Sequence, residues 1–201
     1  MMTLFWMVVG FISGSIPFSL ILGKLFAKKD IRTVGDGNPG GANAIKAGGL
    51  KIGIPAIILD ILKGFVPVFL AQKYGLAGWS LVPVCLAPIL GHAFSPLLRF
   101  RGGKALGTTA GVWGAMAGLW ALPAYGLLAS LAVLLQSEDA WSANVGMLGL
   151  LIYSILFVGE PWMITFTVLN VALIAWKHRH DLSRPPRLRA WVTNIFQGRP
   201  A

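Results

Sequence analysis

The sequence predicts an all-α polytopic membrane protein of seven transmembrane helices, with its N-terminus outside and its C-terminus cytoplasmic. Three observations carry that expectation. Only 12% of the 201 residues are charged and 56% are hydrophobic, with mean hydropathy +0.72. A soluble globular domain carries about 25% charged residues. Long apolar runs alternate with short polar connections, and the basic residues fall almost wholly on alternate connections.

A membrane-spanning helix needs about 20 mainly apolar residues. Seven stretches are read as spans, at about 2–23, 50–71, 77–98, 104–121, 122–136, 143–159 and 161–177. The first carries no basic residue before Lys24. It therefore reads as a retained span rather than a cleaved signal peptide, which would begin with a basic region. The fourth and fifth share one apolar stretch, divided at Trp120-Ala121-Leu122-Pro123; a single long helix is the alternative. Tryptophans such as Trp6, Trp79, Trp120 and Trp162 sit near span ends, as interfacial belts require. One integral-membrane domain over 1–201 is expected, because so short a chain leaves no room for a separate soluble one.

Charge sets the orientation. Fifteen of the 17 Lys and Arg lie in the first connection (Lys24 to Lys51), the third (Arg99, Arg101, Lys104) and the tail from Lys177 to Arg199. The positive-inside rule makes those segments cytoplasmic. The acidic connection Gln136-Ser137-Glu138-Asp139 is out of place on that side.

Several function classes are excluded or weakened. Cys85 is the only cysteine, so no disulfide framework or cysteine metal site is available. The net charge of +10 follows from topology and attraction to anionic headgroups. No soluble basic surface exists to bind nucleic acid. Neither a P-loop nor a G-x-S-x-G elbow occurs, and no metal-ligand spacing is present. No metal and no cofactor are expected.

Two glycine-rich segments carry the chemistry, both on the expected cytoplasmic face. The first is Gly35-Asp36-Gly37-Asn38-Pro39-Gly40-Gly41-Ala42-Asn43, preceded by Asp30-Ile31-Arg32 and followed by Lys46. Glycine lets backbone N–H groups approach an anion closely. The second is Phe100-Arg101-Gly102-Gly103-Lys104, which follows His92. Lys104 stands near a helix start, where free N–H groups and the helix dipole also favour an anion. The alternative for Arg99, Arg101 and Lys104 is simple anchoring to headgroups. Within the second span, Asp60 and Lys63 share one helix face. They read either as a structural ion pair or as a wall of the site.

These motifs, in order along nearly the whole chain, resemble the bacterial acyl-phosphate:glycerol-3-phosphate acyltransferases, the PlsY family. The matching elements are Gly14-Ser15-Ile16-Pro17, the loop from Gly35 to Asn43, Asp60-x-x-Lys63-Gly64, Gly91-His92-x-Phe94, Phe100 to Lys104, and His178. The resemblance implies transfer of a fatty acyl group from acyl phosphate to the 1-hydroxyl of glycerol 3-phosphate. The products would be lysophosphatidic acid and phosphate, made at the cytoplasmic face of the bacterial inner membrane. An H-x-x-x-x-D dyad is missing, since Leu97, Ser183 and Pro185 stand where its aspartate would be. Positioning and substrate phosphate would then supply the catalysis.

On this resemblance the catalytic residues are Lys104, His178, Asp181 and Asn43. Substrate and phosphate are expected at Gly35, Asp36, Gly37, Asn38, Gly40, Lys46, Arg101, Gly102, Gly103 and His92. The partners are acyl phosphate, glycerol 3-phosphate and membrane lipid, with no nucleic acid, and the protein is expected to be a monomer.

The chain departs from the family pattern at five places, Gly41-Ala42-Asn43 standing for the family's Ala-Thr-Asn among them. Asp36 replaces a serine, Lys46 an arginine and Asp181 an asparagine, and Asp139 to Asn144 match poorly a serine-rich element. Asp36 and Asp181 would repel a phosphate, so either they pair with Lys46, Arg32 or Arg179, or they bind a different group, or activity is weak. The rival functions are therefore a paralogue with a changed acceptor and a non-enzymatic transporter or lipid-binding protein.

Overall fold

The computed structural model describes residues 1–196, so Arg199 of the basic tail lies outside the described residues. All its regular elements are helical. Five helical stretches are long and apolar enough to cross a membrane: Met2–Phe26, Leu50–Lys73, Gly78–Leu98, Leu106–Leu135 and Asp139–Val158. A sixth, Pro161–Lys177, is apolar but shorter. The expected fourth and fifth spans lie within the 30-residue stretch, which breaks at Gly118, where φ is +60°. The break falls two residues before the expected division. The chain forms two compact units, which meet in sequence at Gly118 and Leu119.

The first unit holds α1 (Met2–Ser15), α2 (Phe18–Phe26), α3 (Gly41–Gly48), α4 (Leu50–Lys73), α5 (Leu81–Ala93) and α6 (Leu106–Ala117). Its apolar exterior is what lipid requires. Ile54, Ile58, Leu62 and Val66 recur every four residues along α4 and are all exposed. With lipid outside, burial of apolar surface gives helices little reason to associate, and close backbone approach takes over. Gly10 and Gly14 of α1 lie against Pro88 of α5, and a Cβ at Gly14 would strike the Pro88 carbonyl. Gly111 of α6 meets the Ile61 carbonyl of α4 in the same way, and Gly64 meets the Thr108 carbonyl.

The motif Gly14-Ser15-Ile16-Pro17 is a helix break. The first span is therefore two helices, α1 and α2, rather than one. Carbonyls freed near a break must find donors inside the protein, because lipid offers none. Lys63 Nζ donates to the Ile16 carbonyl at 2.8 Å, and Ser95 Oγ donates to that of Ser15 at 2.5 Å. Pro67 in α4 has no N–H for the Lys63 carbonyl, and Ser13 Oγ donates there at 2.9 Å.

Lys63 also pairs with Asp60 at 2.7 Å, and Ser19 Oγ of α2 donates to the other Asp60 oxygen at 2.9 Å. Both side chains are almost fully buried, at 1% and 6% exposure. Of the two readings of this pair, the structural one fits: it joins the α1–α2 break to α4.

The second unit holds α7 (Ala121–Leu135), α8 (Asp139–Tyr153), a π-helical turn at Ser154–Val158, α9 (Pro161–Lys177), α10 (Arg179–Leu182) and α11 (Ala190–Phe196). Gly149 of α8 packs against the Ala124 carbonyl of α7. The tail straps the α7–α8 connection. Ser137 N–H donates to the Arg187 carbonyl, Arg189 N–H to that of Leu135, and Trp141 Nε1 to that of Arg184. Glu138 faces Arg187 at 3.5 Å. The acidic connection, out of place by charge alone, thus lies against the basic tail.

Candidate active site

Both glycine-rich segments belong to the first unit. Asp30 starts the first loop by capping a single 3-10 turn over Ile31–Thr33 and gripping Arg32 through both carboxylate oxygens. The Arg32 guanidinium, hydrogen-bonded to that carboxylate, holds the Asp30 pKa down at about 2 against the opposing effect of burial. Arg32 is thus committed to Asp30.

Beyond it the chain turns through Gly35 and Gly37, at φ +60° and +73°. Both lie in the left-handed region that glycine adopts without a Cβ penalty. A side chain at Gly35 would also strike Asn43 Oδ1 and crowd the Lys46 ammonium. The Gly37 amide donates to the Val34 carbonyl and the Gly40 amide to that of Asn38, which fixes the shape of the loop.

The centre of the loop is Asp36. Its Oδ1 accepts from Asn43 Nδ2 at 2.8 Å and from the Asn38 amide at 3.2 Å. Its Oδ2 pairs with Lys104 Nζ at 2.8 Å. Partial burial alone would raise the Asp36 pKa. The hydrogen bond from Lys104, with the Asn38 amide, the Lys104 charge and Asn43, outweighs it and holds the group at about 2. Asn43 is buried near the start of α3 and also donates to the Asn38 carbonyl at 3.0 Å.

The partner of Asp36 corrects the sequence reading: it pairs with Lys104, not with Lys46, Arg32 or Arg179. Arg179 instead donates to the Trp176 carbonyl and lies over that indole at 4.2 Å. The pairing of Asp36 with Lys104 spans 68 residues of sequence, so no local spacing announces it.

The second segment is built on His92. The Gly103 amide donates to the His92 carbonyl at 3.2 Å. A Cβ at Gly102 would strike that carbonyl, and one at Gly103 would strike the His92 ring. His92 Nδ1 stands 3.8 Å from Asp60 Oδ1, so the buried pair lies behind the segment. Arg99, Phe100 and Ala105 take φ of +52°, +62° and +61°, a conformation that costs non-glycine residues energy and recurs at functional sites. No sequence signal marks them.

Arg101 takes a different place. It lines an open cavity of about 850 Å³ with Asp30, Arg32, Arg99, Gly37 and Leu98. His178 and Asp181 belong to the second unit. His178 is buried at the end of α9, its Nδ1 against the Ile174 carbonyl at 2.9 Å, and Asp181 lies one turn further on in α10. In the same unit Ser142, singled out only as part of a poorly matched segment, is buried and accepts from Gln136 Nε2 at 2.6 Å. Among the described residues no group of three His, Cys, Asp or Glu stands close enough to hold a metal ion.

The fold and this cluster define a class: a helical integral membrane protein two of whose connecting loops meet at the Asp36 carboxylate. The comparisons with known proteins make the family plain. The glycerol-3-phosphate acyltransferase family model matches residues 4–186, and the chain belongs to that family. It is 35% identical over 185 residues to the glycerol-3-phosphate acyltransferase of Maridesulfovibrio salexigens, covering 92% of this chain and 93% of that one. It is 34% identical over 199 residues to glycerol-3-phosphate acyltransferase 1 of Thermotoga maritima, covering 92% and 98%. Among solved structures it is similar to PlsY, an integral membrane glycerol 3-phosphate acyltransferase, in its glycerol 3-phosphate form. The TM-score is 0.81 at 27% identity, over 99% of this chain and 94% of that chain.

Proposed function

We infer that this protein is a membrane glycerol-3-phosphate acyltransferase of phospholipid synthesis, and that its acyl donor is an acyl phosphate. The observation that supports the reading best is the cluster around Asp36, where an ammonium, an amide side chain and a backbone N–H already surround one anionic group. The same donors suit a phosphate.

In the proposed reaction the 1-hydroxyl oxygen of glycerol 3-phosphate attacks the acyl carbonyl carbon. The carbon–oxygen bond to phosphate breaks, and inorganic phosphate leaves. The hydroxyl proton passes to a phosphate oxygen, so no side-chain base is needed. An acyl phosphate is already activated. Holding two phosphates close, with their charge neutralised, then supplies much of the acceleration. Lys104 would hold phosphate, with Lys46 and the amides between Gly35 and Asn43. Arg101, at the cavity with Arg32 and Arg99, would draw anionic substrate in. Asn43 would orient the acceptor, and Gly102, Gly103 and His92 would set the position of Lys104.

The same proposal includes seven spans, with the break at Gly118 separating the fourth from the fifth. The N-terminus would be outside the inner membrane and the site on the cytoplasmic face, in one acyltransferase domain acting as a monomer. The Glu138–Arg187 approach and the tail strap support placing that connection and the tail on one face.

Purified full-length protein given palmitoyl phosphate and glycerol 3-phosphate should release lysophosphatidic acid and phosphate in equal amounts. Lys104→Ala is the control. No product, with the Thermotoga maritima relative active in parallel, would overturn the reading.

A further inference from the structure

The loop that should receive a phosphate already holds an anion of its own. Asp36 presents one oxygen to an ammonium and the other to an amide side chain and a backbone N–H. That is the donor set of a phosphate site. We propose that Asp36 is a built-in phosphate surrogate, which occupies the anion cradle of the first loop when substrate is absent and must leave Lys104 for a substrate phosphate to enter. The inference rests on the acyltransferase reading and adds a specificity-determining residue to it.

The two charged side chains have the exposure such an exchange needs. Asp36 is 46% exposed and Lys104 24%, so water can replace either partner as the pair opens. The buried Asp60–Lys63 pair, at 6% and 1%, has no such freedom. The Asp36 carboxyl, held at about 2, remains charged at any working pH and competes with phosphate throughout. Competition acts in both directions. A carboxylate that returns to Lys104 speeds the departure of inorganic phosphate, so the residue weakens both substrate and product binding.

The shared ligand chemistry is a phosphate group, from acyl phosphate, from glycerol 3-phosphate or from the product. Two charges 4 Å apart interact weakly in water and about four times more strongly near a protein surface. Those limits correspond to about fivefold and several hundredfold in affinity. Removal of the Asp36 charge should therefore tighten phosphate binding at least about fivefold.

The test compares the full-length protein with Asp36→Ser and Asp36→Asn; the asparagine variant keeps the shape of the side chain should serine disturb the loop. Each substrate is varied with the other fixed, and the substrate whose KM falls is the one held at Lys104. Inorganic phosphate is titrated as a product inhibitor, and its inhibition constant should fall with that KM. A second readout needs no activity: protection of Lys104 against an amine-acylating reagent by inorganic phosphate, read by peptide mass spectrometry. Half-protection should need at least about fivefold less phosphate in both variants. A merely structural Asp36 would raise KM and weaken protection on substitution. Unchanged or weakened phosphate protection in both variants overturns the inference, whether or not acyl transfer is detected. Tightened protection without acyl transfer upholds it and counts against the acyltransferase reading alone.

Discussion

Asp60–Lys63 and Asp36–Lys104 are the same chemical pair in two surroundings. Their closest approaches are 2.7 and 2.8 Å. The first lies inside a span, where Lys63 also takes the Ile16 carbonyl and Asp60 takes the Ser19 hydroxyl. Lys63 Nζ and Asp60 Oδ2 are each tied to the α1–α2 region, and removal of one partner strands a charge away from water. The second lies between two loops, with both side chains partly exposed. It can open, and its ammonium can meet another anion. The difference teaches that solvent access, not pair geometry, separates a locked structural ion pair from one that can exchange partners.

The largest expected effect breaks the buried pair. Lys63→Ala should destabilise the protein by about 3–5 kcal/mol, because an uncompensated Asp60 charge remains in the span. Replacing both groups, Asp60→Asn with Lys63→Met, should cost less than the lysine change alone. Thermal melting in detergent checks both. An additive double variant would mean that the two residues act separately.

Lys104→Ala sharpens the other side of the comparison. It should lower kcat/KM by about a hundredfold, as loss of one charged donor to a reacting anion does. Its stability should change by less than about 1 kcal/mol, the range for solvent-exposed pairs. A melting shift as large as that of Lys63→Ala would erase the distinction between the pairs.

A smaller effect belongs to the segment that joins them. Gly102→Ala would push a methyl group into the His92 carbonyl, a backbone atom with nowhere to go, at a cost of about 1–3 kcal/mol. It should also displace Lys104 and lower activity more than Gly49→Ala, where space is open but φ is +70°. Parallel melting and activity assays separate the two.

The smallest effect concerns pH. The Asp30 pKa is lowered from 3.8 to about 2, so the charged carboxyl stabilises the folded loop. That contribution is present above pH 3.8 and is lost as pH falls through about 2. Hydrogen exchange at the Arg32 and Thr33 amides should hold steady from pH 7 to 4, after correction for intrinsic rates. It should rise below that, and Asp30→Asn should remove the step.

Much of the molecule was legible in the sequence for a physical reason. Lipid demands long apolar helices, so composition and run length gave the all-helical membrane class. The glycine loops, Lys104 and Asn43 stood out because polar glycine-rich chemistry has no use between simple spans. Other features were hidden. The break at Ile16-Pro17 read as part of one span, since proline is tolerated in membrane helices and the rescuing donor, Lys63, lies far along the chain. The positive φ at Arg99, Phe100 and Ala105 depends on packing that no local preference reveals. Nor did the sequence show that Gly102 and Gly103, read as phosphate-binding, leave no room for a Cβ beside His92.

The sequence alone determined that this chain is a helical membrane protein and set apart two glycine-rich loops as the ones expected to carry chemistry, because those properties follow from the local ordering of apolar, basic and glycine residues. Tertiary structure decided which opposite charges meet. Asp36 had three nearer or equally plausible cations in the sequence, yet it lies against Lys104, because the fold of the first unit brings the start of α6 to the first loop.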